Sequence, residues 1–184
     1  YLNGEFVNLT SGTVYYEFDR ETHNTNRELK HNDILYIGMD FNITNMNAVV
    51  VVNESGNDYV VDEIVGKYDT FEMAEYIKRT YPQHKVIVFP DSAGANKNKS
   101  LKTDHQIIRE YGFQVSASSK NPFVKDRVNS VNKVYREKKL FINILRCTRL
   151  AEALERQAYK NGEPDKTSGF DHINEALGYC IYNK

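Results

Sequence analysis

The most strongly patterned stretch of the chain runs from Ile34 to Phe41 and reads Ile-Leu-Tyr-Ile-Gly-Met-Asp-Phe. β-Branched and aromatic residues favour a strand, and apolar residues on both faces are typical of a strand in the middle of a sheet. Aspartate is disfavoured within such a strand, so Asp40 is harder to explain as a purely structural residue. The stretch therefore predicts a central strand with a carboxylate near its carboxyl end.

Two further strands are predicted directly after this one. Ala48 to Val52 follows a polar interval, and Tyr59 to Val65 follows the turn sequence Glu-Ser-Gly-Asn-Asp at residues 54–58. Short polar connections between strands are typical of neighbouring antiparallel strands. The three strands are therefore expected to form an antiparallel meander.

The hydrophobic pattern then alternates between helical periods and short apolar runs. Lys85 to Phe89 has apolar residues on both faces and predicts a buried parallel strand, and Phe113 to Ser116 predicts a fifth strand. Leu140 to Ile144 is a short strand or an extended piece, and Thr13 to Phe18 is a candidate short strand. Helices are expected near residues 71–81, 103–111, 122–138, 148–159 and 173–182. This order predicts an α/β fold with a mixed five-stranded sheet, three antiparallel strands then two parallel, and helices on both faces.

Length and composition are those of one globular domain. The chain has 184 residues, of which 40% are hydrophobic and 27% charged, with no internal repeat or linker. No apolar run approaches the roughly 20 residues of a membrane span, and no signal peptide opens the chain. Cys147 and Cys180 are too few for a disulfide scaffold and are expected to be buried free thiols in a reducing cytosol. Because the chain begins at Tyr1, it is expected to be a piece of a longer protein.

The net charge of -1 conceals an uneven distribution of charge along the chain. Residues 94–150 contain thirteen Lys or Arg and four Asp or Glu, a net charge of +9, whereas the remaining residues sum to -10. A basic block within an otherwise acidic domain indicates a polyanionic partner, although lysine-rich solvated helices would give the same composition. Six members of this block are candidate DNA contacts: Lys97, Lys99, Lys102, Lys120, Lys125 and Arg127.

Three aspartates stand where a site is expected. Asp40 and Asp91 follow apolar strands, and if those strands are parallel neighbours the two carboxylates lie at one sheet edge, where α/β proteins bind ligands. Asp171 stands at the entry to the last helix, with Glu175 one turn later on the same face. Carboxylates close together require a cation such as Mg²⁺ or Mn²⁺. Singly, Asp91 is also explained as a turn residue and Asp171 as a helix N-cap.

The motifs around these aspartates resemble those of a known family. Gly38-Met39-Asp40, Pro90-Asp91-Ser92-Ala93 and the segment from Asp171 to Tyr179, in this order, resemble the RNase H-like nucleases. More closely, they resemble the C-terminal nuclease domain of the large terminase subunit of tailed bacteriophages. Gly4 to Val7 and Val14 to Arg20 are similar to the stretch that joins the packaging ATPase to the nuclease in that family. Asn121 to Asn129 is similar to its helix after the fifth strand.

The resemblance implies a fold, an activity and partners. It implies an RNase H-like domain over residues 1–184, with residues 1–32 as an extended lead-in from an upstream ATPase domain. It implies that Asp40, Asp91 and Asp171 hold two divalent metal ions, Mg²⁺ or Mn²⁺. His172 is expected to line the site, and Glu175 stands where the family commonly has aspartate, which leaves its role open.

The implied function is a metal-dependent endonuclease that cuts concatemeric double-stranded viral DNA during genome packaging. Its implied partners are the upstream ATPase domain, the small terminase subunit and the portal protein, in the host cytoplasm at the procapsid and without a membrane. Two alternatives are another RNase H-like nuclease, of the junction-resolvase or transposase type, and a non-catalytic actin-like ATP-binding or docking module. The actin-like alternative requires a glycine-rich loop after the first strand, whereas residues 42–45 contain no glycine.

Overall fold

The computed structural model describes residues 12–42, 44–95 and 102–184. A six-stranded mixed sheet lies at its centre, accompanied by a separate two-stranded hairpin and five α-helices within the described residues. The sheet strands are β1 (Leu35–Asp40), β2 (Met46–Glu54), β3 (Asn57–Lys67), β4 (Val86–Pro90), β5 (Gln114–Val115) and β6 (Leu140–Ile142). The hairpin strands are β7 (Tyr159–Lys160) and β8 (Glu163–Pro164), and the helices are α1 (Thr70–Thr80), α2 (Asp104–Glu110), α3 (Val124–Arg136), α4 (Thr148–Arg156) and α5 (Asp171–Asn183).

The strands lie in the order β5-β4-β1-β2-β3-β6, which places β1 and β2 in the middle of the sheet. β1, β2 and β3 pair antiparallel, while β4 pairs parallel to β1 and β5 parallel to β4. The predicted meander followed by parallel strands is therefore confirmed. The sheet has six strands instead of the five expected, because Leu140 to Ile142 pairs parallel to β3 at the far edge. Three residues are too few to show a strand period in the sequence.

Helices cover both faces of the sheet, as the sequence predicts. On one face α3, α4 and α5 pack against Val49, Val51 and Val60, forming a core that includes Val131, Leu154 and Leu177. On the other face α1 and α2 pack against the alternate residues of the same strands. β-Strand side chains point alternately to the two faces, so an uninterrupted apolar run such as Ala48 to Val52 supplies both cores.

Helix α5 lies directly on the central strand because the contact residue on β1 has no side chain. A Cβ atom at Gly38 would lie 2.0 Å from the Ala176 carbonyl oxygen and 2.9 Å from Cys180 Cβ. Only glycine permits such a close approach of helix and strand backbones. Because residues i and i+2 of a strand share a face, Asp40 also points to the α5 side of the sheet. The fold thus brings the start of α5 next to the carboxyl end of β1.

The N-terminal region differs from expectation. Thr13 to Phe18 is not a strand: Thr13 makes a single bridge to Ala158, and residues 14–17 form a turn. Val14 and Tyr15 are buried in the core beside α3 and α5, so this part of the lead-in is packed onto the domain. The reason is that Asn132 on α3 donates to the Val14 carbonyl oxygen at 3.0 Å, a contact that no local pattern reveals. Residues 1–11 lie outside the described part of the chain.

Other expectations are met or shifted slightly. Asp69 caps α1 by accepting from the Glu72 backbone N–H at 2.9 Å. The loop expected between α4 and α5 contains the short hairpin of β7 and β8. Cys147 and Cys180 are both buried and unpaired. Among the described residues, no helix is long and apolar enough to cross a membrane.

Candidate functional site

The carboxyl ends of β1 and β4 lie side by side at one edge of the sheet. In their parallel register Met39 is opposite Pro90, and the Asp91 backbone N–H donates to the Met39 carbonyl oxygen at 3.0 Å. Asp40 and Asp91 therefore follow one another across neighbouring strands, and the negative charge of Asp91 contributes to raising the pKa of Asp40. The predicted juxtaposition of these two aspartates at one sheet edge is present in the structure.

Asp40 is buried and lies among groups contributed by α5. Its carboxylate, the His172 imidazole and the Glu175 carboxylate each place one ligand atom within 4.8 Å of the other two. Burial raises the pKa of Asp40 from 3.8 to about 6, opposed by the hydrogen bond from His172, and the nearby Glu175 charge raises it further. An anionic carboxylate is therefore disfavoured here unless a cation is close.

His172 forms the middle of a hydrogen-bonded chain that orients Asp40. Asn42 Nδ2 lies 3.0 Å from His172 Nε2, and His172 Nδ1 lies 3.0 Å from Asp40 Oδ2. An amide nitrogen can only donate, so Nε2 accepts and the ring proton resides on Nδ1, from which it is donated to Asp40. The hydrogen bond to Asp40 raises the pKa of His172. His172 thus engages one oxygen of Asp40 and holds the carboxylate in place.

Glu175 lies one helical turn beyond Asp171 and contacts two cations. Lys166 Nζ is 2.9 Å from Glu175 Oε1, and Arg127 Nη2 is 3.4 Å from the same oxygen. Arg127 is only 4% exposed and also lies over the Tyr179 ring, at 4.6 Å from its centroid. The longer side chain of glutamate at this position is therefore held inside the site, within reach of Asp40.

Asp171 is the first residue of α5 and is 3% exposed. Its Oδ1 atom is buried and has no hydrogen-bond partner within the described residues, and it lies 3.8 Å from His172 Nε2. Burial raises the pKa of Asp171. The alternative explanation of Asp171 as a helix N-cap does not hold, because Phe170 occupies the N-cap position and Asp171 lies inside the helix. A buried carboxylate oxygen without a partner carries a free-energy penalty that a bound cation would remove.

Asp91 is held by a different set of contacts. Asp91 Oδ1 accepts from Asn121 Nδ2 at 2.5 Å and from the Ala93 backbone N–H at 2.8 Å. The Asn121 side chain also accepts from the Ser92 backbone N–H at 2.8 Å, and His105 Nε2 bonds to the Asp91 carbonyl oxygen at 2.9 Å. The loop after β4 is thereby tied to α2 and to the segment before α3. These contacts fix the Asp91 carboxylate at the sheet edge that it shares with Asp40.

The donor set at this edge fits a hard divalent cation. Among the described residues, Asp40 and Glu175 place carboxylate oxygens within 4.8 Å of each other, and Asp91 and Asp171 are not part of that group. Burial raises the pKa values of Asp40 and Asp171. Oxygen donors of this kind suit Mg²⁺ and Mn²⁺. The unpartnered Oδ1 of Asp171 and the clustering of Asp40 with Glu175 are the two structural observations that indicate a cation.

The residues expected to contact DNA occupy different environments. Lys120 and Lys125 are exposed, and Lys102 is exposed and pairs with Glu110 at 2.9 Å. Arg127 is buried and directed at Glu175, which does not fit the expected surface contact; the helical period of α3 turns it inward, two residues after Lys125. Lys97 and Lys99 lie outside the described residues, so their expected role stays a prediction.

Three residues of the site were not identified from the sequence: Asn42, Asn121 and Lys166. Asn42 follows Asp40 by two positions, and Asn121 precedes a proline at the start of the segment that leads into α3. Both are polar residues next to motifs already singled out, and that proximity is the signal that was available. Lys166 lies in a polar loop with no pattern, and only its contact with Glu175 reveals it.

Comparison with known proteins identifies relatives. A family model described as the terminase RNaseH-like domain matches residues 37–184. Among solved structures, the large terminase of a thermophilic bacteriophage has 19% identity and a TM-score of 0.74, covering 94% of this chain and 44% of that one. The P22 large terminase nuclease domain has 14% identity and a TM-score of 0.71, covering 94% and 92%.

A third solved structure is the large terminase nuclease domain of bacteriophage SPP1 with bound Mn. It has 21% identity and a TM-score of 0.55, covering 82% of this chain and 86% of that one. No curated protein sequence matches the chain. At these levels of identity the structural matches show the fold, and the chain spans less than half of the large terminase from the thermophilic bacteriophage.

Proposed function

Because the chain belongs to the terminase RNaseH-like domain family, we propose that it is a metal-dependent endonuclease that hydrolyses phosphodiester bonds of double-stranded DNA. Its role is to cut concatemeric viral DNA during genome packaging. Family membership favours this function over that of a junction resolvase, a transposase or an actin-like ATP-binding module. The observation that carries the proposal is the convergence of Asp40, His172 and Glu175 within 4.8 Å at the carboxyl end of the central strand.

The metal ligands are Asp40, Asp91 and Asp171, with Glu175 as a fourth carboxylate at the same place. Asp40 is central in this set because it lies beside Asp91 on the neighbouring strand and beside Glu175 on α5. Two divalent ions, Mg²⁺ or Mn²⁺, would lower the pKa of the attacking water and stabilise the leaving 3′ oxygen. The bound Mn of the SPP1 nuclease domain supports the choice of metal.

The protein residues supply position and charge. His172 holds one Asp40 oxygen through its Nδ1 proton, which leaves the other oxygen available to a metal ion. Asn121 fixes the rotamer of Asp91 in the same way, through Oδ1. Arg127 and Lys166 limit the repulsion between Glu175 and the neighbouring carboxylates. No serine or cysteine nucleophile is required, since the nucleophile is water.

Exposed lysines beside the carboxylates bind the DNA backbone. Lys120 immediately precedes Asn121, which bonds to Asp91, and Lys125 lies in the first turn of α3. Contacts of this kind neutralise backbone phosphates without reading bases, so binding is expected to depend strongly on salt and weakly on sequence. Lys97, Lys99 and Lys102 are proposed to extend the same surface.

The partners follow from the family. We place the domain downstream of an ATPase domain of the same polypeptide and in contact with the small terminase subunit and the portal protein. The site of action is the procapsid in the host cytoplasm. This chain spans 44% of the large terminase from the thermophilic bacteriophage, a share that is consistent with one domain of a longer protein.

Plasmid cleavage tests the function. We expect the purified chain to nick and linearise supercoiled plasmid in the presence of Mn²⁺ or Mg²⁺ and to leave it intact in the presence of a chelator. Asp40→Asn is expected to abolish cutting, whereas the matched control Asp69→Asn keeps full activity because asparagine caps a helix as well as aspartate does. Plasmid that stays intact with both metals, or is cut equally by the Asp40 variant, would disprove the nuclease function.

A further inference from the structure

A cavity of about 240 Å³ with a mixed polar and apolar lining lies beside the carboxylate site and takes no part in the function proposed above. It is lined by Asn45 and Asn47 at the start of β2, by Val65 on β3, by Arg149 on α4 and by Ile173 on α5. Among the described lining residues Arg149 carries the only charge and there is no carboxylate. Its volume is below the roughly 300–1,000 Å³ of sites for drug-sized ligands, so it suits a single small anionic group.

The cavity adjoins the metal site across the central strands. Asn47 on β2 is directly opposite Asp40 on β1, and residues opposite one another in an antiparallel pair have Cβ atoms about 4.5–5.5 Å apart on the same face. Ile173 directly follows His172 on α5. Asp91 and Lys120 are on the β4 side of Asp40, whereas the cavity is on the β2 side. A DNA strand that runs from Lys120 across the carboxylate site therefore reaches this cavity next.

Arg149 is held in position through both its backbone and its guanidinium group. Its backbone N–H donates to Glu63 Oε1 at 2.8 Å, and its Nη2 donates to the Gly169 carbonyl oxygen at 2.9 Å. The guanidinium also lies over the Phe170 ring, at 4.7 Å from the centroid, and its Nη1 is 3.5 Å from Glu152 Oε2. A guanidinium has five N–H donors in a rigid fork that matches a phosphate, so these contacts leave donors for a ligand. Less side-chain entropy is lost on binding when the donor is already held.

We infer that this cavity binds a backbone phosphate of the DNA strand, on the side of the scissile bond away from Lys120. The inference rests on the proposed nuclease function and adds a residue to it, because Arg149 positions the strand. The amide groups of Asn45 and Asn47 complete the anion site, with one hydrogen of Asn47 Nδ2 already donated to the Asn45 carbonyl oxygen at 2.9 Å. The strand is then held on both sides of the cleaved bond, by lysines near Asp91 and by Arg149. Because Arg149 is the only charged residue among the described lining residues, the cavity favours a phosphate over a base, which carries no charge.

The salt dependence of DNA binding tests this assignment. A short duplex is titrated with the chain in Ca²⁺, under conditions in which wild-type protein leaves the duplex intact. Arg149→Gln is expected to lower the slope of log K against log salt by about 0.9, so that its loss of affinity is about eight-fold greater at 0.1 M than at 1 M salt. Arg156→Gln is the matched control, because Arg156 also pairs with Glu152 and lies over Phe170 but does not line the cavity.

A second variant keeps the test valid if loss of the Gly169 contact unfolds the protein. Val65 lines the cavity and is 45% exposed, so polar substitutions there are tolerated. Val65→Lys is expected to tighten DNA binding and Val65→Glu to weaken it several-fold, with Val65→Gln between them. Equal affinities in this series would overturn the assignment, as would equal changes for Arg149→Gln and Arg156→Gln.

Duplexes with one neutral methylphosphonate linkage locate the phosphate. One linkage near the cut is expected to weaken wild-type binding when neutralised but to leave binding by Arg149→Gln unchanged, because the contact is already lost. If every linkage affects both proteins equally, Arg149 does not contact a phosphate. Failure of wild-type protein to bind or cut DNA would instead contradict the nuclease function itself, so the two failures are distinguishable.

Discussion

Replacing Asp40 with asparagine is expected to stabilise the metal-free protein while removing its response to metal. Folding raises the pKa of Asp40 from 3.8 to about 6, chiefly because the carboxyl group is buried. Such a group stabilises the folded state fully only below pH 3.8, and that contribution is lost as the pH rises through about 6. At pH 8 the folded protein therefore holds an unfavourable buried anion. Asparagine has nearly the same shape and no charge, and its side-chain oxygen can still accept from His172 Nδ1.

The magnitude follows from the change in pKa. The rise from 3.8 to about 6 corresponds to about 3 kcal/mol at 1.36 kcal/mol per pH unit, which is the upper limit of the gain at pH 8. For a chain of this length it amounts to a rise in Tm of roughly 6–12 °C. At pH 5 about half of the gain remains, and below pH 3.8 it disappears. The raised pKa of His172 stabilises the folded protein at lower pH, and this stabilisation is lost as the pH rises. A comparison made at pH 8 therefore reports the contribution of Asp40.

Thermal unfolding in a chelator, from pH 4 to pH 8, is the appropriate assay. The Tm difference between Asp40→Asn and wild-type protein should grow with pH, and adding Mn²⁺ should raise the Tm of wild-type protein alone. Asp33→Asn is the mirror-image control: burial opposes ionisation of Asp33, but its hydrogen bonds from Arg27 and Lys30 leave its pKa lowered. That variant should be less stable than wild-type protein by a nearly constant amount from pH 4 to pH 8, because a carboxyl group with a lowered pKa is already ionised in the folded protein at pH 4. A Tm difference for Asp40→Asn that is negative or independent of pH would refute the reasoning.

Three further outcomes are expected. Gly38→Ala would place Cβ 2.0 Å from the Ala176 carbonyl oxygen, so urea unfolding should show that the free energy of unfolding falls by about 1–3 kcal/mol or more. Calorimetry should also show weaker Mn²⁺ binding, because α5 is displaced. Unchanged Mn²⁺ affinity would contradict the close approach of α5 to β1 as the reason for glycine at this position. Glu175→Gln leaves the buried Arg127 without this counter-charge, so the free energy of unfolding measured in urea should fall by on the order of 3 kcal/mol. Unaltered stability would mean that Glu175 does not stabilise the fold and acts only as a metal ligand. Mn²⁺ affinity should fall roughly ten-fold per pH unit below about pH 6, because binding must displace the Asp40 proton, and a flat calorimetric profile between pH 5 and 7 would contradict this.

Much of the fold could be read from local sequence pattern. The run from Ile34 to Phe41 predicts a buried strand because its apolar residues recur on both faces, and β1 is the central strand of the sheet. The change from strand to helical period after Val65 predicts the crossover that makes β4 parallel to β1. Once those two strands are neighbours, Asp40 and Asp91 must lie at one edge. At Leu140 to Ile144 the sequence indicates either a short strand or an extended piece, because three residues carry no measurable period, and only the pairing with β3 makes it the sixth strand.

The candidate site was predicted less completely than the fold. Carboxylates at strand ends can be recognised from position alone, as Asp40 and Asp91 were, whereas Asp171 was singled out at the start of the last helix. The orientation of Arg127 could not be predicted from the sequence, because a basic residue near the start of a helix gives the same local pattern whether it faces solvent or the core. Its burial against Glu175 and Tyr179 follows from the packing of α3 on α5.

The sequence by itself predicted the antiparallel meander, the approximate bounds of the helices and the strand ends that carry Asp40 and Asp91, since each depends on residues that are close in the chain. Tertiary structure alone decided that His172 and Glu175 lie next to Asp40, some 130 residues away in sequence. It also decided that Arg149 faces a cavity beside Asn47. These contacts depend on how closely α5 packs on β1 at Gly38 and on where α4 begins over β3. Such distances arise from the packing of whole elements, and no local pattern of residues encodes them.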